Sequence, residues 1–163
     1  MTLGGLMGWL VFQVPLYIWQ KSAFYLFLLG IIMLLLVLIP GIGSEINGSR
    51  RWIPLYIANL QPSEFMKFFM IIYTADYVVR KAADLNGFFK GFLPILIIIG
   101  IVGFLLLRQP DFGAAAVITV LVIAILFLGG VSIKIFSVLL GLMIAGAYTL
   151  IKFSGYRLDR IVG

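Results

Sequence analysis

The chain has 163 residues, and 63% of them are hydrophobic, compared with roughly 45–50% in soluble domains. Its 12 basic and 6 acidic residues give a net charge of +6. The charged residues stand singly or in pairs beside apolar runs about as long as the ~20 residues that cross a bilayer, which argues against nucleic acid as a partner. Cysteine and histidine are absent, which excludes a disulfide, a thiolate zinc site and a histidine base and leaves oxygen ligands for any metal.

The pattern predicts an all-α fold, a polytopic transmembrane helical bundle with about six spans. Gln20-Lys21 is interpreted as a tight polar turn, Pro40-Gly41 ends a span, and Pro62 stands where proline is favoured, in the first turn of a helix. The start of the chain lacks a basic segment and a cleavage site, so a signal peptide is not predicted. We interpret the sequence as one transmembrane domain from a longer protein. The predicted spans are residues 1–19, 22–39, 63–80, 91–107, 112–130 and 135–151.

The longest polar interruption is the loop 41–62 and the helix start that follows it. Two spans separate Gln61 from Gln109, and two more separate Asp111 from Tyr156, so these polar stretches are expected on the same membrane face. Basic residues divide almost evenly between the two faces, and the positive-inside rule therefore does not orient the chain. The opposite face receives Lys21, Arg80, Lys81, Lys90 and Lys134.

A Gln-Pro pair followed by an acid occurs twice, in 61–64 and in 109–111. Helix-end chemistry explains one such motif, because proline presets the backbone and an acid favours the positive end of the helix dipole. Two motifs on one face, beside arginines, favour a functional site. Glu64 and Lys67 share a helix face and are either part of that site or an ion pair that only neutralises both. Asp76 and Arg80, four apart, are interpreted as a structural pair.

The remaining polar residues of this face also have two interpretations. Its arginines either anchor the protein to lipid headgroups or clamp a phosphate with the planar guanidinium fork. Trp52 either lies in the interfacial belt or stacks on a sugar ring. The carboxylates can act as a general base or hold a divalent cation against a pyrophosphate. This inventory suits a lipid that carries a phosphate and a polar head.

Four motifs resemble those of the SEDS family (shape, elongation, division and sporulation) of bacterial membrane proteins, and their order along the chain agrees with the family. The resemblance covers essentially the whole chain, and residues 75–81 and the C-terminal motif are closer to the FtsW subgroup than to the RodA subgroup. It implies a ten-helix fold of which these spans are helices 2–7, with the motif face outside the cell. The motifs are Gly48–Ile53, Gln61–Lys67, Gln109–Gly113, and Tyr156-Arg157 with Arg160. A departure from the family's pattern is Pro54-Leu55-Tyr56 after the first motif.

The resemblance implies a peptidoglycan glycosyltransferase of the cytoplasmic membrane that polymerises lipid II, an undecaprenyl-pyrophosphate-linked disaccharide-pentapeptide, at the division septum. Its expected partners are membrane lipid, a class B penicillin-binding protein and other division proteins. It implies catalytic roles for Glu64, Lys67 and Asp111, and Glu64 and Asp111 are the candidate ligands for a Mg²⁺ or Mn²⁺ cofactor. The family's base is an aspartate in a loop beyond residue 163, so this chain alone is expected to be inactive. The expected substrate-binding residues are Arg50, Arg51, Trp52, Gln61, Ser63, Gln109, Tyr156, Arg157 and Arg160.

Two alternatives belong to other functional classes. A lipid II flippase, which transports a polyprenyl-pyrophosphate-linked precursor, should have polar residues through the membrane to both faces. The first, second, fourth and sixth spans have almost no interior charge, which favours chemistry on one side. A scaffold that only binds partner helices is disfavoured because the charges cluster on one face.

Overall fold

A computed structural model of the protein describes residues 9, 11–41, 43–46, 49–54 and 59–153. Helices account for most of this part, and three short strands lie between the first two of them. The helices are α1 (Leu16–Leu38), α2 (Pro62–Arg80), α3 (Leu93–Arg108), α4 (Phe112–Leu128) and α5 (Ile133–Phe153). The strands are β1 (Ser44–Ile46), β2 (Ser49–Pro54) and β3 (Asn59–Leu60), and a π-helical turn at Phe88–Phe92 leads into α3. The predicted helical membrane bundle is confirmed.

In the described part of the chain, two stretches are long and apolar enough to cross a membrane: α1, with 23 residues, and Phe88–Arg108, with 21. At ~1.5 Å per residue each exceeds the ~30 Å hydrocarbon core. Helix α4 and residues 133–146 of α5 are shorter apolar helices. Helix α2 has 19 residues and is more polar than the others, yet it packs extensively against both α1 and α4. Its neighbours therefore shield a helix that would be a poor membrane span alone.

The first helix boundary differs from the sequence-based expectation. The turn predicted at Gln20-Lys21 is wrong, because α1 begins at Leu16 and continues through both residues. The break lies just before it, at residues 13–15, where Pro15 has extended backbone angles. Proline lacks the amide that a continuing helix needs and disfavours helix in the residue before it. Gln and Lys, by contrast, are good helix formers.

The other predicted boundaries lie close to the observed ones. The third to sixth predicted spans begin and end within two residues of α2, α3, α4 and α5. Of the first predicted span, residues 1–8 and 10 lie outside the described residues. The loop predicted at 41–62 contains the strands: β1 pairs antiparallel with β2, aligning Ser44 with Trp52, and β2 pairs antiparallel with β3, aligning Ile53 with Leu60.

An apolar core joins the helices between the two ends of the bundle. Helices α1 and α2 approach closely at Gly30, where a Cβ atom would lie 2.5 Å from the Met66 sulfur. Around this crossing the interior is filled by side chains that have almost no solvent contact. They include Leu34, Met66, Met70, Val102, Leu106, Ile118 and Val122. Because this core lies between the ends of a membrane bundle, such side chains stabilise it mainly through van der Waals contact.

A polar candidate site at one end of the bundle

The mouth cluster consists of four side chains, Arg51, Gln61, Ser63 and Asp111, from three segments that meet at one end of the bundle. Ser63 Oγ donates a hydrogen bond to Asp111 Oδ2 at 2.8 Å. Gln61 Nε2 donates to the same oxygen at 3.3 Å and to Ser63 Oγ at 3.0 Å. The two Gln-Pro motifs, which are far apart in sequence, therefore meet through their polar side chains. The sequence predicted that they share a face, and the structure adds direct contact.

Asp111 is also the N-cap of α4. Its Oδ1 accepts a hydrogen bond from the Ala114 amide at 3.3 Å, which satisfies one of the free amides of the first turn. The helix-end interpretation of this motif is thus correct for Asp111. It does not exclude a functional role, because the other carboxylate oxygen belongs to the mouth cluster.

Arg51 brings positive charge to the cluster. Its Nη1 lies 3.6 Å from Asp111 Oδ1, and the two side chains are 33% and 6% exposed. Within the described part of the chain, Arg51 Nε has no hydrogen-bond partner. A guanidinium carries five donors, and a carboxylate at this distance satisfies few of them. Because Nε is buried, an incoming anion would meet the terminal nitrogens of this partly exposed side chain.

Glu64 and Lys67 form a separate pair on the first two turns of α2. Lys67 Nζ lies 2.8 Å from Glu64 Oε1 and 2.7 Å from Oε2, and the lysine and glutamate side chains are 25% and 55% exposed. Ser63 and Lys67 are four residues apart, so they lie on the same side of the helix. The pair is thus adjacent to the mouth cluster along α2, and the glutamate is open at the surface.

Gln109 lies inside the bundle instead of at its surface. It is fully buried, and its Nε2 donates to the Leu34 carbonyl at 2.8 Å. Its Oε1 has no partner among the described residues. The structure therefore gives Gln109 a role in joining the end of α3 to α1.

The other predicted binding residues are placed only in part. Trp52 is half-buried and follows Arg51 in β2, and successive strand residues point to opposite faces, so Trp52 faces away from the mouth cluster. The backbone of Arg50 pairs with Glu45 across the sheet, but its side chain lies outside the described residues. Tyr156, Arg157 and Arg160 also lie outside them.

The groups that surround the Asp111 carboxylate do not favour a divalent cation there. Its Oδ2 accepts two hydrogen bonds, and its Oδ1 accepts one and faces Arg51, so a cation would have to displace the arginine. The described part of the chain brings no three acidic side chains together as a metal site. Glu64 has the more accessible carboxylate of the two candidate ligands.

The fold and this site define a helical membrane protein with one strongly polar end. The model of the FtsW/RodA/SpoVE family, described as cell cycle proteins, matches residues 1–163. The chain belongs to this family, and the resemblance to SEDS proteins is confirmed.

Curated relatives are similar to the chain over nearly all of its length. The probable peptidoglycan glycosyltransferase FtsW of Nitrosomonas europaea is 55% identical over 150 residues, which are 92% of this chain and 39% of the relative. Its counterpart from Aromatoleum aromaticum is 50% identical over 156 residues, 96% of this chain and 38% of the relative. The chain thus spans about two fifths of the length of these relatives.

Solved structures share the fold. The crystal structure of Thermus thermophilus rod shape determining protein RodA has a TM-score of 0.78 at 27% identity, over 91% of this chain and 47% of that one. A second solved structure is described as structural coordination of polymerization and crosslinking by a peptidoglycan synthase complex. One of its chains has a TM-score of 0.74 at 26% identity, over 99% of this chain and 47% of that one.

Proposed function

We propose that the protein containing this chain is a peptidoglycan glycosyltransferase that polymerises lipid II during cell division. The observation that carries the proposal is Asp111, held by Ser63, Gln61 and Arg51 from separate segments at one end of the bundle. Relatives at 50% and 55% identity bear the name of that activity, which supports the same assignment here.

The charges of the site suit a pyrophosphate leaving group. In the proposed reaction, the 4-hydroxyl of an acceptor sugar attacks the anomeric carbon of the growing chain, and undecaprenyl pyrophosphate leaves. Arg51 is partly exposed and carries one positive charge, and Lys67 carries a second one turn along α2 from Ser63. Fixed positive charges that meet negative charge as it develops lower the barrier to such a step. The base is expected beyond residue 163, so we assign no proton abstraction to this chain.

We assign the remaining residues as follows. Glu64 holds Lys67 through two short contacts and so positions its ammonium group. Trp52 and Arg50, which flank Arg51 in β2, are proposed to contact a sugar and a phosphate of the substrate on the side of the strand away from the mouth cluster, and Gln61 and Ser63 to hold Asp111 in place. We also keep Tyr156, Arg157 and Arg160 as substrate-binding residues and Gln109 as a structural support of the site. A Mg²⁺ or Mn²⁺ ion bound near Glu64 would neutralise pyrophosphate charge, and no step above depends on it.

The proposed setting is the division septum, with a class B penicillin-binding protein as partner. The FtsW name of the relatives supports the division role. The similar chain from a peptidoglycan synthase complex, in work on polymerization and crosslinking, supports a partner that supplies the second of those activities.

The packed interior weighs against transport of the lipid-linked head through this part of the molecule. Between the mouth cluster and the opposite end, the core side chains are apolar, as at Met70, Val102 and Ile118. Apart from Gln109 near the mouth cluster and Asp76 near the opposite end, Thr74 is the buried polar side chain of this region among the described residues. A polar headgroup crossing this region would lose its hydration with few replacements.

The test uses the full-length protein purified with its partner and supplied with lipid II, and glycan chains are resolved on a gel. Asp111→Asn retains the helix cap but removes the charge that faces Arg51, and Glu64→Gln removes the carboxylate that holds Lys67. Asp84→Asn, which removes a carboxylate at the opposite end, is the matched control. We expect polymer from the wild type and the control and at least tenfold less from both site variants.

Two outcomes contradict the proposal. If the wild type makes no polymer but moves lipid II across liposome membranes, the protein is a transporter. If polymer forms equally well in both site variants, the enzyme's site lies elsewhere. Parallel reactions with a chelator, and with Mg²⁺ or Mn²⁺ restored, test the metal separately.

A further inference from the structure

A second polar concavity lies at the end of the bundle opposite the mouth cluster. It has a volume of about 580 Å³ and lies between the first turns of α1 and the last turns of α2. That volume is within the range of small-ligand sites, ~300–1,000 Å³. The lining residues are Tyr17, Gln20, Lys21, Phe24, Tyr73, Asp76 and Arg80. The proposed glycosyltransferase chemistry uses none of these residues.

Asp76 and Arg80 form the built part of this cavity. Arg80 Nε lies 2.6 Å from Asp76 Oδ2, and the side chains are 49% and 7% exposed, respectively. The buried carboxylate engages one edge of the guanidinium and so fixes its orientation. A guanidinium has five donors, so Asp76 and the neighbouring Tyr73 side chain, which also interacts with Arg80, leave some of the terminal N–H groups for a ligand in the cavity.

Lys21 gives the cavity a net positive charge. It is exposed, lines the same space, and forms no ion pair with any described residue. Lys21 and Arg80 together outnumber Asp76, leaving one uncompensated positive charge. Two cations beside tyrosine hydroxyls form a site for a phosphate group, to which arginine and lysine donate charge-assisted hydrogen bonds.

The position of the cavity indicates that the phosphate belongs to a lipid. Lys21 is close to the start of α1 and Arg80 is the last residue of α2, so both lie at the depth of the headgroups. From the cavity, exposed apolar side chains continue along one side of α1 at Phe24, Leu28 and Ile32. Spacings of four residues place such side chains in a row, along which an acyl chain can lie.

We propose that this cavity binds the headgroup phosphate of an anionic phospholipid, with Lys21 and Arg80 on the phosphate and the acyl chains along α1. Basic pockets between transmembrane helices commonly bind anionic headgroups. The assignment is independent of the glycosyltransferase proposal, because it concerns the other end of the bundle.

Native mass spectrometry tests the site: the full-length protein is introduced in detergent micelles, and the lipids that stay bound after the detergent is removed are counted. The probes are phosphatidylglycerol, phosphatidylcholine with the same acyl chains, and soluble glycerol phosphate as a competitor. Lys21→Gln is the test variant, since removing Arg80 would leave Asp76 buried without its partner and could unfold the protein. Lys134→Gln is the control, because it removes a basic residue expected at the same membrane face but outside the cavity.

We expect phosphatidylglycerol to bind more tightly than phosphatidylcholine. Lys21→Gln should weaken that binding about fivefold, the equivalent of one lysine near a membrane surface, and Lys134→Gln should not. Equal binding of the two lipids, an unchanged affinity in Lys21→Gln, or an equal loss in Lys134→Gln would overturn the proposal. Displacement by glycerol phosphate at matching concentration would show a site for soluble phosphate and overturn the lipid assignment.

Discussion

Asp111 illustrates how one residue serves both the fold and the candidate site. It caps α4 through one oxygen and accepts hydrogen bonds from Ser63 and Gln61 through the other. Removing a neighbour, instead of Asp111 itself, separates these roles because the cap remains intact. The buried hydroxyl of Ser63, 2.8 Å from the carboxylate, is the most direct neighbour to remove.

We expect Ser63→Ala to destabilise the protein by about 1–2 kcal/mol, because a buried carboxylate loses its shortest hydrogen bond. Thermal unfolding in detergent measures the change. Ser137→Ala is the matched control: Ser137 is exposed and donates only to the Ile133 carbonyl of its own helix, so its loss should cost less than about 0.5 kcal/mol. Equal effects of the two substitutions would mean that the contact between Ser63 and Asp111 does not stabilise the fold.

The pair of Glu64 and Lys67 can be either functional or merely self-neutralising, and a double-mutant cycle distinguishes the two. Both groups are partly exposed, so their coupling in stability should be at most about 1 kcal/mol. We expect Glu64→Gln and Lys67→Met each to lower polymer yield at least tenfold, and the double variant to be no better than either. Recovery of activity in the double variant would identify a neutralising pair.

Residue types and motif order were sufficient to predict that Arg51, Ser63, Glu64 and Asp111 lie at one end of the molecule. They could not predict which arginine meets Asp111, since that depends on the alternation of side chains along β2, and the strand itself was not predicted. Nor did the sequence indicate that Gln109 turns inward to the Leu34 carbonyl. That bond joins residues 75 positions apart and follows from packing alone.

At the scale of elements, the connection between α2 and α3 is a tightly packed turn. A Cβ atom at Gly91 would lie 2.2 Å from the Asp84 carbonyl oxygen and 2.7 Å from Leu85 Cα, both backbone atoms. The hydroxyl of Tyr77 also donates to the Gly91 carbonyl at 2.6 Å, which fixes this turn against α2. The turn therefore has no room in which to relax.

We predict that Gly91→Ala destabilises the protein by at least about 2 kcal/mol, because the backbone at residues 84–85 has to move. Gly100→Ala, inside α3, is the control: nothing lies within 4 Å of its added methyl, and alanine is the better helix former. Thermal unfolding should show a loss for the first variant and no loss for the second. A tolerated Gly91→Ala would mean that this turn can open without affecting the helices.

The same elements show where pattern-based prediction succeeds. Long apolar runs predicted the positions of α2 to α5 to within two residues. In a bilayer, backbone N–H and C=O groups have no water to bind, so an apolar run that crosses it has to form a helix. The error at Gln20-Lys21 came from treating polar side chains as a break, although both can point to the interface while the helix continues. Proline at residue 15 was the real stop signal. The short strands were missed because their pairing depends on backbone hydrogen bonds that carry no clear hydrophobic period.

At the scale of the whole molecule, the two ends of the bundle are chemically different and the interior between them is apolar. One end holds the mouth cluster, where an acid is buried among donors. The other holds the cavity of Lys21 and Arg80, with a fixed guanidinium. In a membrane bundle, an apolar core between the two ends allows each end to serve its own aqueous compartment.

Cysteine labelling tests that crossing, and the chain suits the experiment because it contains no cysteine. Asn59, in β3, and Ala83, after α2, are both exposed, and α2 alone lies between them. In right-side-out vesicles we expect a membrane-impermeant maleimide to label Asn59→Cys directly and Ala83→Cys only after permeabilisation. The parent protein with any cysteines beyond this chain replaced is the unlabelled control.

Helix α2 is the least apolar of the helices, so its composition alone does not determine the result. Labelling of both residues from one side would mean that α2 does not cross the bilayer. The reverse pattern would keep the crossing but place the mouth cluster inside the cell, away from the side on which glycan polymerisation is proposed.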